Sequence, residues 1–387
     1  MGFIEHIPGT VPLVPPTRDA RALGVGVLGL HEGRTLLLAL CRCSRAYAAA
    51  GCDTNQDKVD ACAREAPGLF YTSRFEDMLL RPDVRVVAIY TPDADHGAHI
   101  EQAFEAGKDV ICTKPLVNSV PDARRVLAAA RRTGRRLLVG QSTRFFEPFR
   151  RQRAAFERGA FGRVELADAH YIHRMDWYYR KSPWAARATD WIFLGLSHPL
   201  DLLRWYLGPI RAVHAAATRS ALGAGFDISG PDLYAVTVIA ESGAIGRAMG
   251  HYGVHELPTA RNCIELMLYG SGGSSLAQYH DMRFVYTAPG PADRSMSTEV
   301  TEDHLYAGRQ YYFNSEVHGM HYGEFANYAE HFASAIIDGS RASPELEEGL
   351  EVFAVMESAR RSAREGRSID VRSVADEIGL SAAGATR

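Results

Sequence analysis

From Leu23 to Gly140 the chain alternates two patterns: short runs that are apolar at nearly every position, and longer segments whose apolar residues recur at helical spacing. A short apolar run bounded by turn residues is the mark of a strand buried on both faces. Leu23–Leu28, Ala46–Cys52, Val84–Tyr90 and Asp109–Cys112 read this way, and Arg136–Gly140 closes the series as a further strand. Helices are predicted from Thr35 to Arg42, from His96 to Ala106 with Gly107 as its C-terminal stop, and from Pro121 to Thr133. Alternating β and α at this spacing predicts a parallel, doubly wound sheet. Proline cannot donate to a strand ladder, so Pro115 ends the fourth run at its carboxyl edge and leaves Lys114 on the rim of the sheet.

Beyond this stretch the pattern changes. Phe145–Arg158 reads as a helix and Val164–Arg174 as an alternating strand; Met175–Trp191 is a long loop rich in Trp, Tyr and Arg. His198–Leu207 is a helix that buries Leu200, Leu203, Trp205 and Leu207. Runs at Val213–Arg219, Leu233–Ala240, Ala244–Tyr252, Asn262–Tyr269, Gly273–Gln278, Arg283–Tyr286 and Ser295–Thr301 are separated by Gly, Pro and Asp. That spacing predicts a large, mostly antiparallel sheet. Helices at Tyr322–Ile337 and Leu346–Gly366 follow, then a short strand at Arg367–Val371. The predicted class is α/β: a doubly wound parallel domain over 21–144 and an α+β domain over 145–372. They are flanked by a flexible arm over 1–20 and a tail over 373–387.

Composition narrows the function classes. The 387 residues are 46% apolar and 23% charged with a net charge of −3, so no basic excess points to nucleic acid or anionic lipid. No apolar run reaches the ~18–20 residues of a membrane helix. The first residues hold four prolines and lack the basic start and apolar core of a secretory signal. Cysteines at 41, 43, 52, 62, 112 and 263 form no C-x-x-C, which predicts unpaired thiols in a reducing cytoplasm.

Candidate chemistry gathers at strand ends. A lysine at the carboxyl edge of such a sheet can hold a hydroxyl, shuttle a proton or bind an anion; the alternative for Lys114 is a solvated cation. After the first strand, Gly29-Leu30-His31-Glu32-Gly33-Arg34 is a degenerate glycine turn, with His31 and Arg34 where a dinucleotide fingerprint has glycine. Gly29 supplies the tight turn, Gly33 close approach, and Arg34 an anion contact beside a pyrophosphate. Asp53, 24 residues after Gly29, is placed to accept from ribose hydroxyls and favours NAD over NADP; no Lys or Arg follows it immediately. Both features also have plain structural readings, as a turn and a turn acid. Trp177, Tyr178 and Trp184 suit a sugar ring or a packed junction. His198 lies in the first turn of its helix, with Asp201 at i+3 placed to orient it or to pair within the helix. His318 and His321 form an H-x-x-H with no carboxylate or thiol at ligand spacing, so no metal is expected.

An ordered set of short motifs resembles the Gfo/Idh/MocA oxidoreductases, named after glucose–fructose oxidoreductase and inositol dehydrogenase. The pieces are Thr91-Pro92 with His96, Ala106-Gly107-Lys108, Thr113-Lys114-Pro115-Leu116 and Gln141-Ser142-Thr143-Arg144-Phe145, followed by Gly159–Arg163 and Ser197-His198-Pro199-Leu200-Asp201. The resemblance spans roughly residues 22–372. It implies a Rossmann domain followed by a mostly antiparallel sheet whose open face joins subunits into a homodimer or homotetramer. It further implies NAD or NADP acting on sugars, cyclitols and related polyols, with Lys114 meeting the substrate hydroxyl and His198 as acid/base. On the same basis, cofactor contacts are expected from Gly29, His31, Glu32, Gly33, Arg34, Asp53, Thr91, Pro92, His96, Lys114 and Arg144. Substrate contacts are expected from Lys114, Arg144, Tyr171, His173, Trp177, His198, Asp201 and His321. Two positions depart from the pattern: Thr113 stands where many members have Glu, and Leu194 where many have an acid four residues before the histidine.

The expected activity is NAD-dependent hydride transfer at a secondary alcohol carbon of a sugar, cyclitol or glycoside. Alternatives are a redox-neutral enzyme with tightly held NAD and a non-catalytic NAD-binding sensor.

Overall fold

The computed structural model describes residues 17–257, 263–280, 282–288, 298–303 and 322–380. They form two compact units, one containing residues up to Ser142 together with the segment that ends at Gly349, the other the remainder.

The first unit opens with β1 (Leu23–Leu28), α1 (Gly33–Ala39), β2 (Ala46–Cys52) and α2 (Gln56–Glu65). It continues with β3 (Phe70–Thr72), α3 (Phe75–Leu79), β4 (Val86–Ile89) and α4 (His96–Glu105), and ends with β5 (Asp109–Thr113), α5 (Val120–Thr133) and β6 (Leu137–Gly140). The six strands are all parallel in the order β3-β2-β1-β4-β5-β6. The apolar runs became strands because both faces are covered: Val27, Val87, Ala88, Ile89, Val110 and Leu138 are fully buried. Edge strand β3 is only three half-buried residues long, too short for the apolar pattern to single out. Helix starts follow local chemistry: the Asn55 side chain accepts from the Asp57 N–H to cap α2, and the Ser119 hydroxyl accepts from the Asp122 N–H to cap α5. Chain order reverses between β1 and β4, so the turns that follow these two strands flank the switch point of the sheet.

The second unit contains α6 (Glu147–Glu157), β7 (Val164–Ile172), α7 (Asp176–Lys181), α8 (Trp191–Leu194), α9 (Ser197–Leu207), β8 (Ile210–Thr218) and α10 (Ala221–Gly225). Then come β9 (Leu233–Ala240), β10 (Ile245–His251), β11 (Cys263–Gly270), β12 (Ser274–Gln278), β13 (Arg283–Ala288) and β14 (Thr298–Asp303). The expected loop over Met175–Trp191 therefore holds a short helix, α7, and a 3-10 turn at Pro183–Ala186. With β15 (Ile369–Asp370) at one edge, the nine-stranded sheet runs β14-β13-β12-β11-β7-β10-β9-β8-β15, antiparallel throughout except where β7 and β10 pair in parallel. Helix α9 lies on β7 and β10, burying Leu200, Leu202 and Leu203. Trp205, expected in that core, is half-buried, and Tyr206 takes the inward position.

Helix α11 (Tyr322–Asp338) returns to the first unit and packs on α1. Tyr328 shares a hydrogen bond with Tyr90, and Glu330 accepts from the Arg45 backbone N–H at 2.9 Å. The stretch predicted to lie in one domain over 145–372 is thus interrupted. Helix α12 (Leu346–Glu365) has its first turn in the first unit and the rest in the second. Strand β15 (Ile369–Asp370) pairs with β8, and α13 (Val371–Ile378) forms where a tail from residue 373 was expected, capped by Asp370. None of the six cysteines is in a disulfide; Cys41 is exposed and the other five are buried. Among the described residues no helix is long and apolar enough to cross a membrane. Residues 1–16 of the arm expected over 1–20, and the His318/His321 pair, lie outside the described residues.

Candidate active site

At the end of β1 the chain turns at Gly29, whose φ of +89° suits glycine. A Cβ here would stand 2.7 Å from the Tyr90 carbonyl, so the turn after β1 presses against the end of β4. Gly33 opens α1, and a Cβ on it would meet the Val27 side chain at 2.6 Å. His31 and Glu32 are exposed on the turn. Asp53 is 7% exposed, and its carboxylate accepts from the Leu30 N–H at 2.8 Å and the Asn55 N–H at 2.9 Å. It therefore clasps the glycine turn from the end of β2, and a carboxylate's ~4 acceptor sites leave capacity for a ribose hydroxyl. A cation is also present: the Lys58 ammonium lies 3.6 Å from Asp53, brought back by the first turns of α2. Arg34 departs from expectation. Its guanidinium makes two bonds of 2.5 and 2.7 Å to Glu65 at the end of α2, because a carboxylate on the neighbouring helix matches its planar fork. The glycine turn, close helix approach and Asp53 fit an adenine dinucleotide; Arg34 is committed elsewhere.

Two further loops leave the same sheet edge. Thr91-Pro92-Asp93 follows β4, and Lys114-Pro115, a cis peptide, follows β5. Lys114 keeps some surface, while its ammonium is withdrawn from water. That burial draws its pKa from the usual lysine range down to about 8, against the opposing pull of Asp93 and Glu32. A lysine in this range can both donate and accept a proton near neutral pH. His96, expected at the cofactor, is 1% exposed, with Nδ1 2.8 Å from the Pro115 carbonyl and Nε2 2.9 Å from the Thr91 carbonyl. Both edges of its ring are taken by backbone, so it joins the two loops instead of reaching a ligand. The Thr91 hydroxyl is 3.0 Å from His99 Nδ1.

In the second unit, His198 sits at the start of α9, 4% exposed. Tyr171 of β7 packs edge-on against its ring at a centroid distance of 5.6 Å and stacks on Trp191 at 5.5 Å. The Thr143 hydroxyl approaches His198 Nδ1 at 3.4 Å. Asp201, three residues after His198, has a partner on another element. Its carboxylate is held by Arg144 through two bonds of 2.7 Å, and both side chains are almost wholly buried. A charge withdrawn from water requires a partner; for Arg144, expected at the cofactor or substrate, Asp201 is such a partner, with the Trp205 ring 5.0 Å from the guanidinium. Leu194 is buried on α8, so no carboxylate stands there. His173 lies 4.0 Å from Glu256 and 6.3 Å from the Trp177 ring, and Trp177 is 45% exposed. Tyr252, Glu256 and Thr143 were not singled out from the sequence. Tyr252 follows β10 and Glu256 lies in the loop beyond it, so only the fold brings them to Trp191 and His173.

Residues 23–141 match the model described as oxidoreductase family, NAD-binding Rossmann fold, and residues 149–275 match the GFO/IDH/MocA C-terminal domain. The chain belongs to the Gfo/Idh/MocA family. It is 32% identical over 185 residues to a 1-carboxy-3-chloro-3,4-dihydroxycyclohexa-1,5-diene dehydrogenase of Comamonas testosteroni, covering 46% of each chain. It is 31% identical over 187 residues to an inositol 2-dehydrogenase of Gluconacetobacter diazotrophicus, covering 48% of this chain and 53% of that one. The matched stretch thus spans about half the length of these curated relatives. A levoglucosan dehydrogenase solved with NADH and L-sorbose has the same fold, with a TM-score of 0.78 at 19% identity, covering 91% of this chain and 99% of that one. Within the family frame, this member lacks the acid before its histidine and has the Thr143 hydroxyl beside Nδ1.

Proposed function

We propose that this Gfo/Idh/MocA member is an NAD-dependent dehydrogenase or reductase acting on a secondary alcohol of a sugar, cyclitol or glycoside. The observation that carries the reading is Lys114: an ammonium at the carboxyl edge of β5, withdrawn from water and poised at a pKa of about 8. Gly29, Gly33, Asp53 and the Thr91-Pro92 loop hold the dinucleotide. Bound NAD supplies the acceptor or donor of hydride at the alcohol carbon. Lys114 binds the alcohol oxygen, stabilises the charge that develops on it and exchanges its proton. His198, held in place by Tyr171 and Thr143, takes or returns a proton. The exposed Trp177 ring and the His173–Glu256 pair suit the apolar face and hydroxyl edge of a sugar.

Similarity to curated dehydrogenases named for inositol and, at 25% identity over 330 residues, for levoglucosan supports this substrate class. The enzyme works in the cytoplasm as a homodimer or homotetramer joined through the open face of its large sheet. On that face Tyr269, Leu166 and Ile245 sit side by side on β11, β7 and β10, each at least 36% exposed. The test is a panel of cyclitols, sugars and glycosides, including myo-inositol and levoglucosan, assayed at the nicotinamide absorbance band with NAD and NADP. Turnover with NAD and a higher kcat/KM than with NADP is expected. Absence of turnover on every polyol by protein that binds NAD overturns the reading.

A further inference from the structure

His96 carries no surface that a ligand can touch, yet it has a specific pair of partners. Its ring spans from the carbonyl of Thr91, in the loop after β4, to the carbonyl of Pro115, the residue that follows Lys114. Carbonyl oxygens only accept, so a ring nitrogen that carries hydrogen donates to the carbonyl it faces. The strands β4 and β5 pair only as far as Ile89 and Cys112, after which the two chains leave the ladder. Beyond that point the imidazole links the loops that the strands no longer hold. Asp93, buried and carried by the first loop, acts electrostatically on Lys114 in the second.

We propose that His96 is a positioning residue for Lys114: by bracing the Thr91 loop against the Lys114-Pro115 turn, it fixes where the lysine ammonium stands and keeps water from it. The proposal rests on the reading of Lys114 as the lysine that meets the substrate oxygen. The charged groups acting on that ammonium are Asp93 on the loop after β4 and Glu32 on the turn after β1, and the Cys112 thiol on β5 also feels Asp93. Asp95 and His99 lie beside the brace on and before α4. Without the brace the loops part, water reaches the ammonium, and the lysine returns toward its ordinary basicity.

The test reads Lys114 directly and needs no substrate. The protein is labelled competitively with acetic anhydride across pH 6–11, and the Lys114 peptide is quantified by mass spectrometry. In the unchanged protein Lys114 should titrate near pH 8. His96→Leu, which fills the space without donors, should raise that value by about one unit or more, a roughly tenfold loss of reactive amine at neutral pH. His96→Gln, whose amide nitrogen can donate to both carbonyls, should stay close to the unchanged protein. Where His96→Leu yields no folded protein, His96→Asn, which reaches one carbonyl and not both, takes its place with the same expectation. An unmoved Lys114 in His96→Leu or His96→Asn, or a His96→Gln variant as displaced as either, overturns the proposal. Because labelling is independent of turnover, failure of the proposed activity would show separately, as an intact Lys114 titration without catalysis.

Discussion

Lys114 and Arg144 are both cations withdrawn from water, and their surroundings assign them opposite tasks. Arg144 has a buried carboxylate bonded to it at both oxygens, so its charge is spent on structure. Replacing Arg144 with Ala leaves Asp201 buried without its guanidinium, and urea unfolding should show a loss of about 3–5 kcal/mol. NAD affinity of the folded fraction should be unchanged. Lys114 has Asp93 and Glu32 as electrostatic partners, but burial outweighs them. Its folded pKa of about 8 lies below the ~10.4 of an unfolded lysine, so the folded state releases the proton first as pH rises. The cost of holding the charge is therefore full below pH 8 and is relieved as pH climbs from 8 toward the unfolded value. Lys114→Met should raise the thermal midpoint relative to the unchanged protein at pH 7, and the gain should shrink toward pH 10. The same variant should lose about 10²–10⁴-fold in kcat on the polyol identified by the panel. A kcat within threefold of the unchanged enzyme would return Lys114 to the role of a solvated strand-end charge.

At the level of elements, the ends of strands carry the chemistry and the helices carry the geometry. The turn after β1 is fixed from two sides, by the β4 end against Gly29 and by Asp53 at the end of β2. Arg34 lies one residue into α1, yet it points its bonds at Glu65 of α2. Both side chains are more than one-third exposed, so this pair contributes ~1 kcal/mol or less. Arg34→Ala should accordingly leave the NAD dissociation constant within about twofold in calorimetry and lower stability only slightly. A tenfold weakening would place Arg34 on the cofactor after all. In the second unit, the 3-10 turn at Ser142–Phe145 and the start of α9 are joined twice, by Thr143 with His198 and by Arg144 with Asp201. These contacts set the imidazole on a helix end that has no capping side chain of its own.

Across the whole molecule, α9 and α6 pack on the large sheet, and among the described residues Leu166, Ile245 and Tyr269 of β7, β10 and β11 are exposed. Leu166 lies between Ile245 and Tyr269 in register, making an apolar row across three neighbouring strands. This row is the surface through which the proposed oligomer would join. A charge in the middle of the row, Leu166→Asp, should shift the protein to a smaller species in light scattering coupled to size exclusion, with the fold intact by circular dichroism. An unchanged mass would remove the row from the interface.

How much of this the sequence determined depends on the range of the interactions involved. Strand positions in the parallel sheet follow from continuous apolar runs, because burial on both faces leaves no polar position. Gly29, Asp53 and Lys114 follow from their places at strand ends, a local property of the chain. The partners of charged and polar side chains do not follow, because those partners lie far along the chain. Arg34 finds Glu65, 31 residues on, and Asp201 closes on Arg144, 57 residues away, where the sequence showed a histidine three residues before it. His96 is read from a motif as a ligand contact, and only the loops on either side of it show that both ring nitrogens are occupied by backbone. Hydrophobic periodicity is written residue by residue and survives in the sequence. Electrostatic pairing in a buried site is decided by which charge the fold brings nearest, and that distance exists only once the tertiary structure has formed.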